Sequence, residues 1–370
     1  MGLTRSTPTA LSVARRSLTA TSVGDYALFG GGYAAAVDAT VDAYDLSLTR
    51  STPTALSAAR ADAVATSVGD YALFGGGNTG SVSAVVDAYN KSLTRSTPTA
   101  LSVARHLLAA TSVGDYALFG GGHTGSVSDV VDAYNTSLTR STPTQLSLAR
   151  HYIAAAMVGN YALFGGGYNA GDSAVVDAYN TSLTRSTPTA LSAARRYLTA
   201  TSVGDYALFG GGISSAVVDA YNTSLTRSTP TALSVARYLL GATNVGDYAL
   251  FGGGQAAAGS ATVDAYDLSL TRSTPTALSA ARSDAVATSV GDYALFGGGY
   301  AAAVDATVDA YNLSLTRSTP TALSVARAYV TATSVGDYAL FGGGHTGSVS
   351  DVVDAYYSPT LNTTNFFMFF

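Results

Sequence analysis

The sequence predicts an all-β protein, a closed ring of eight four-stranded antiparallel sheets whose last sheet is completed by the chain's first strand. Three observations carry this expectation. First, Gly-Asp-Tyr-Ala-Leu-Phe-Gly-Gly-Gly recurs from Gly24–Gly32 to Gly336–Gly344, once with Asn160 in place of the Asp. Its Phe falls at Phe29, Phe74, Phe119, Phe164, Phe209, Phe251, Phe296 and Phe341, 45 residues apart except for one step of 42. Second, self-similarity at such a period means a repeat architecture, in which each unit buries its apolar faces against its neighbours. Third, no segment sustains a helical period, whereas short apolar or β-branched runs alternate with Gly- and Asn-rich turns.

The third copy illustrates the elements in order. Leu107–Val113 is a small-residue and β-branched run and reads as the first strand. Gly114-Asp115 follows, a two-residue link with Gly first, which is the signature of a type II′ hairpin turn. Tyr116–Phe119 is continuously apolar, as expected of a strand covered on both faces. Gly120–Gly122 ends it. The loop His123–Asp129 leads to a third strand, Val130–Tyr134. Asn135-Thr136-Ser137 is a turn cluster. Leu138–Leu146 is the expected fourth strand and contains Pro143. A proline in the same place in all eight copies (Pro8, Pro53, Pro98, Pro143, Pro188, Pro230, Pro275, Pro320) puts this strand at the edge of each sheet. Four strands per unit of about 45 residues are the blades of a β-propeller. The chain starts with a copy of the fourth strand, Leu3–Leu11, and its last repeat stops after the third, Val352–Tyr356. The N-terminal strand can therefore complete the last blade, in competition with the C-terminal tail. The expected division is a propeller over residues 1–356 and an apolar tail over 357–370.

Composition narrows the function classes. The 370 residues are 47% hydrophobic and carry a net charge of −5, with no Cys, Trp or Glu and a single lysine, Lys91. No run of Lys or Arg suggests a nucleic-acid partner. No apolar run approaches the ~18 residues that would span a membrane, and no signal-peptide pattern opens the chain. The expected location is cytoplasmic or virion-associated. Without Cys there is neither a disulfide framework nor a thiolate metal site.

The unit resembles a kelch repeat. The matching residues are Arg105, the small residues entering the first strand, Tyr116-x-x-x-Gly-Gly and Val131-x-x-Tyr-Asn135, and the resemblance runs over residues 3–356. It implies a propeller whose usual role is binding. Three features depart from the pattern: Leu138 stands where kelch repeats carry Trp, Asp132 where Glu is typical, and eight units exceed the usual six or seven. The catalytic kelch proteins use a cysteine–tyrosine copper site or lean on Glu, and this chain has neither Cys nor Glu. The resemblance thus implies a non-enzymatic protein without cofactor or metal.

The copies differ in two windows. One follows the glycines: Tyr33, Asn78, His123, Tyr168-Asn169, Ile213, Gln255, Tyr300 and His345. The other follows the repeated Arg: Arg16, Ala61-Asp62, His106, His151-Tyr152, Arg196-Tyr197, Tyr238, Ser283-Asp284 and Ala328-Tyr329. Because adjacent strands are antiparallel, both windows fall on one face of the disc. The windows also reassort: Tyr33–Tyr44 recurs verbatim at Tyr300–Tyr311 and His123–Tyr134 at His345–Tyr356, whereas the segments after the Arg differ within each pair. Their Tyr, His, Arg and Asn content suits an adaptable binding surface, although exposed loops also vary without selection. The expected partner is a protein or glycan, in the manner of a phage or bacterial surface-recognition module. The competing reading is a structural or assembly protein, natural or engineered, whose Phe366, Phe367, Met368, Phe369 and Phe370 mediate homo-oligomerisation.

Other motifs read as scaffold. The triple glycines precede a β-loop rather than a helix, so they are not phosphate loops. The histidines lack metal-ligand spacing. The Asn-x-Ser sequences share their turn with Asp45 and Asp267, which argues for a turn role. The repeated Arg (Arg105 and its copies) and third-strand Asp (Asp132 and its copies) are expected to pair as structure.

Overall fold

In the computed structural model, residues 2–358 are described. They form eight four-stranded antiparallel sheets and no helix. In seven blades the four strands lie side by side in chain order. The eighth consists of Thr331–Val335, Tyr338–Gly342, Val353–Tyr357 and, as its outer strand, Thr4–Ser6. Arg5 lies opposite Tyr356 in that pairing, so the N-terminal strand closes the ring. Tyr357 and Ser358 continue this blade, Ser358 donating its N–H to the Asp337 carbonyl at 3.0 Å. The oligomer contact expected at Phe366–Phe370 lies outside the described residues. Among the described residues no helix is long and apolar enough to cross a membrane.

In blade 3 the strands are Ala109–Val113, Tyr116–Gly120, Val131–Asn135 and Arg140–Ser141. The hairpin glycine Gly114 sits at φ +50 while Asp115 stays out of the left-handed region, as a turn with Gly in its first position requires. The fourth strand differs most from expectation, with two residues rather than nine. Pro143 lies beyond it, not within it. Lacking an N–H, the proline cannot extend the ladder, and the chain leaves the sheet as a strap onto the next blade. There the strap's carbonyls become acceptors: the Tyr134 hydroxyl donates to Thr99 at 2.7 Å and Arg140 to Ala100 at 2.6 Å, both on the strap arriving from blade 2. Leu138 does not stand in a strand either. It occupies the turn at φ +59, where the Asn135 side chain accepts from the Ser137 and Thr139 N–H groups. The turn role of that Asn is thereby shown.

The core is a set of clusters between blades rather than within them. Leu73, Val86 and Ala88 of blade 2 pack on Ala117, Phe119 and Tyr134 of blade 3. The second strand buries Leu on one side and Ala and Phe on the other, which explains its unbroken apolar run. Phe119 and Tyr134 meet edge-to-face at 5.8 Å, an arrangement adding about 0.5–1.5 kcal/mol to burial alone. The same packing of Leu340, Val353 and Ala355 on Ala27, Phe29 and Tyr44 joins blade 8 to blade 1.

The first glycine of each triplet makes this packing fit. A Cβ on Gly75 would stand 2.7 Å from the Phe119 ring. The last glycine, Gly77, donates its N–H to the Arg105 carbonyl of the next blade at 3.0 Å. The first strands contact one another in sequence around the ring, the blade 1 strand meeting that of blade 8. They therefore line the axis.

A candidate binding face above buried arginines

One of the two variable windows of each blade is anchored by the invariant Arg that precedes it. Arg105 is fully buried, its Nη2 2.7 Å from the Asp132 carboxylate and 3.0 Å from the Phe119 carbonyl. The pairing recurs in all eight blades, from Arg15–Asp42 to Arg327–Asp354, at 2.6–2.9 Å. The other carboxylate oxygen accepts from the Ser102 N–H at 2.9 Å and faces Arg140 at 3.9 Å. Burial pulls the Arg105, Arg150, Arg195, Arg237 and Arg327 guanidiniums down, and the aspartates act in the opposite direction. The partner tyrosines Tyr134 and Tyr179 are pushed far above the usual phenol range, first by burial and then by the adjacent Asp. The Arg–Asp pair is thus a sealed part of the scaffold. The Arg backbone ties neighbouring blades together, Arg105 N–H donating to the Ser83 carbonyl at 2.9 Å.

With the Arg held, the next two residues emerge on the disc face in two tiers. The first joins the residue after the glycines of its own blade by a β-bridge. These bridges are Arg16 with Tyr33, Ala61 with Asn78, His106 with His123, His151 with Tyr168, Tyr238 with Gln255, Ser283 with Tyr300 and Ala328 with His345. In blade 5 one hydrogen bond replaces the bridge, Ile213 N–H to the Arg196 carbonyl at 3.1 Å. The two windows that vary between copies are therefore physically paired.

The second residue leads toward the first strand in a left-handed backbone conformation. Ser17, Asp62, Leu107, Tyr152, Tyr197, Leu239, Asp284 and Tyr329 all have φ between +51 and +54. That region is unfavourable for residues with a side chain, at roughly 1–3 kcal/mol each. Ser17, Asp62, Leu107 and Tyr152, from four successive blades, line one open cavity of about 370 Å³.

The sequence names these residues without saying which are neighbours. The structure brings one group together. His106 packs against His123 at 5.5 Å between ring centroids, and His123 against His151 at 5.4 Å. His151 meets Tyr152 at 4.4 Å and Tyr168 at 5.6 Å. Tyr152 meets Tyr197 at 4.4 Å, and Tyr197 meets Tyr238 at 6.4 Å. The Arg196 guanidinium lies 4.6 Å from the Tyr168 centroid and 2.8 Å from Asp172, a residue sequence reasoning did not single out. These side chains form one arc across blades 3 to 6. Blade 5 has the repeat that is three residues short, and beside it Ser214, Tyr238 and Gln255 line a notch of about 240 Å³.

The other candidates lie elsewhere on the windows. Arg16 stacks over Tyr33 at 5.7 Å in blade 1. Tyr300 and Tyr329 are the most exposed large side chains of the face, at 49% and 54%. Asp284 accepts from its neighbour Ser283 at 2.9 Å. His345 accepts from Gly347 N–H at 3.3 Å. Asn169 N–H donates to the Gly171 carbonyl in its own loop.

Electrostatics set the arc apart. His151 is held below the usual imidazole range, first by burial and then by His123, His106 and Arg196. Its Nδ1 is buried and makes no hydrogen bond. His106 Nδ1 lies 3.1 Å from the His123 carbonyl, and His123 Nδ1 accepts from Gly125 N–H at 3.2 Å. Burial and a hydrogen bond with Tyr152 raise the Tyr197 phenol. Compared with known proteins, the chain matches no protein-family model and no curated protein.

Proposed function

We propose that this protein is a non-enzymatic binding module of kelch-like build that presents its diversified face to a protein or glycan. One observation carries the reading: the two windows that differ between copies are bridged to each other on one face, above a buried Arg–Asp scaffold that does not vary. An ordinary loop drifting freely would not need a paired, strained and anchored base. Propellers commonly serve binding, and the buried Arg, third-strand Tyr and glycine triplet support kinship with kelch repeats.

The test is a binding screen of the intact chain on protein and glycan arrays. Hits abolished by Tyr152→Ala with Tyr197→Ala, but unaffected by Lys91→Gln on the opposite face, support the reading. Hits unaffected by any substitution in the windows would sink it. Loss of self-association on removing residues 359–370, with no array hit, would favour the assembly reading instead.

A further inference from the structure

We propose that the arc across blades 3 to 6 takes an anionic saccharide: His106, His123, His151 and Arg196 receive its carboxylate or sulfate, and Tyr152, Tyr168 and Tyr197 contact its sugar rings. This rests on the binding-face reading and names the ligand class for it.

The charge arrangement comes first. The chain as a whole is acidic, at −5, yet three imidazoles and a guanidinium converge within one short arc. The charged groups facing His151 are His123, His106 and Arg196, all cationic or potentially so. The carboxylate beside the arc, Asp172, is engaged by Arg196. Asp172 balances Arg196, so His151, when protonated, faces no carboxylate of its own, and an incoming anion would supply that charge through charge-assisted hydrogen bonds. Among the described residues no three ligating side chains are placed to hold a metal ion, which separates this cluster from a histidine metal site.

Surface character then chooses between saccharide and protein. A protein-docking hot spot is centred on a desolvated apolar patch. Here the aliphatic window residues Leu108, Ile153, Leu198 and Leu240 are buried beneath the face. What remains above them is mostly tyrosine and histidine rings with polar edges, with Leu107 and Leu239 as the aliphatic exceptions in blades 3 and 6, flanked by hydroxyls and amides such as Ser214, Asn169 and Gln255. Rings with polar rims suit a ligand that has apolar ring faces and hydroxylated edges. The notch lined by Ser214, Tyr238 and Gln255 lies at the Tyr238 end of the arc.

The test compares four probes on the folded full chain at about pH 5.5 and about pH 7.5, the interval in which imidazoles change charge. The probes are oligogalacturonate, a sulfated dextran fragment, neutral dextran and polyglutamate. The expected result is binding of one or both acidic saccharides, at least about tenfold tighter at the lower pH, with neutral dextran weaker by a similar factor. The first two probes separate carboxylate from sulfate preference. His151→Gln should reduce the pH dependence, Arg196→Gln should weaken binding about tenfold, and Lys91→Gln should change neither. Unchanged unfolding midpoints in these variants exclude misfolding.

Equal affinity for neutral dextran, or an affinity for the acidic saccharides that is the same at both pH values, would overturn the anion assignment. If Tyr152→Ala still weakened such binding, the broader binding-face reading would stand. Polyglutamate bound as tightly as the saccharides would replace the saccharide with an acidic peptide. No binding of either acidic saccharide at the lower pH would overturn the proposal outright.

Discussion

Arg5 Nη1 lies 3.4 Å from Asp354 Oδ1, 349 residues away in the chain. Asp354 also holds Arg327 at 2.6 Å, so it joins one arginine from the first strand of the chain to another from the last repeat. In blades 1 to 7 both arginines come from within one repeat; only in blade 8 do they come from opposite ends. The ring is closed by the same chemistry that builds each blade.

That closure predicts a local weak point. Arg5 is partly exposed and also donates to the Ala322 carbonyl at 2.9 Å, so Arg5→Ala should cost only about 1 kcal/mol. Replacing Leu3 as well, which packs on the core joining blades 7 and 8, should cost more. Hydrogen exchange should show the added opening first in residues 331–357, with blades 3 to 5 unaffected. Uniform acceleration around the ring would contradict this.

The buried pair predicts an asymmetric response. Arg105→Ala leaves Asp132 buried without its nearest cation and should destabilise by about 3–5 kcal/mol. Arg105→Met with Asp132→Leu should cost clearly less than the sum of the single changes, because no charge is then stranded. Chemical denaturation gives both numbers. An unchanged midpoint for Arg105→Ala would show that the pair is not structural.

Gly75 is predicted to be intolerant for a reason unrelated to backbone conformation. An added methyl would press on the Phe119 ring of the next blade, and overpacking of this kind costs about 1–3 kcal/mol. Gly75→Ala should be partly rescued by Phe119→Leu, which opens the space. Gly80 offers the contrast: nothing lies near its Cβ position, but its φ is +101. Any loss in Gly80→Ala is therefore conformational and should not respond to Phe119→Leu.

His151 predicts a pH effect on stability without ligand. Its folded-state pKa lies below the ordinary 6.5, which the unfolded chain retains. Above about 6.5 both states are neutral at this site and no penalty applies. As pH falls through 6.5 toward the lowered value, the unfolded state takes up a proton that the folded state resists, so stability falls. His151→Gln should remove that part of the slope between about pH 7 and 5, measured by denaturation at each pH. A slope unchanged in the variant would show that the His151 environment is not as described.

Much of the architecture was legible because the repeat exposes it. Eight copies of one motif state which positions are scaffold. The turn residues and the paired Arg and Asp follow from spacing and residue chemistry, and the N-terminal copy of the fourth strand is one of the two segments that spacing offers to blade 8. The fourth strand expected over Leu138–Leu146 pairs only at Arg140–Ser141, because β-branched composition says that a segment can extend, not what it pairs with. Its Thr144 carbonyl accepts from the Tyr179 hydroxyl of the following blade at 2.7 Å, and the chain leaves the sheet after Ser141.

Periodicity and local chemistry are enough to give the repeat, the four-stranded blade and the identity of the variable positions, whereas the choice of the N-terminal strand over the tail as the outer strand of blade 8 is read from its pairing with Val353–Tyr357. Which variable residues meet is visible only in the folded ring. His106, His123, His151, Tyr168 and Arg196 belong to three repeats, and their adjacency arises from the curvature of the ring and the bridge between windows. Neighbour relations of that kind are set by the packing of Phe against glycine between blades, whose geometry no linear spacing encodes.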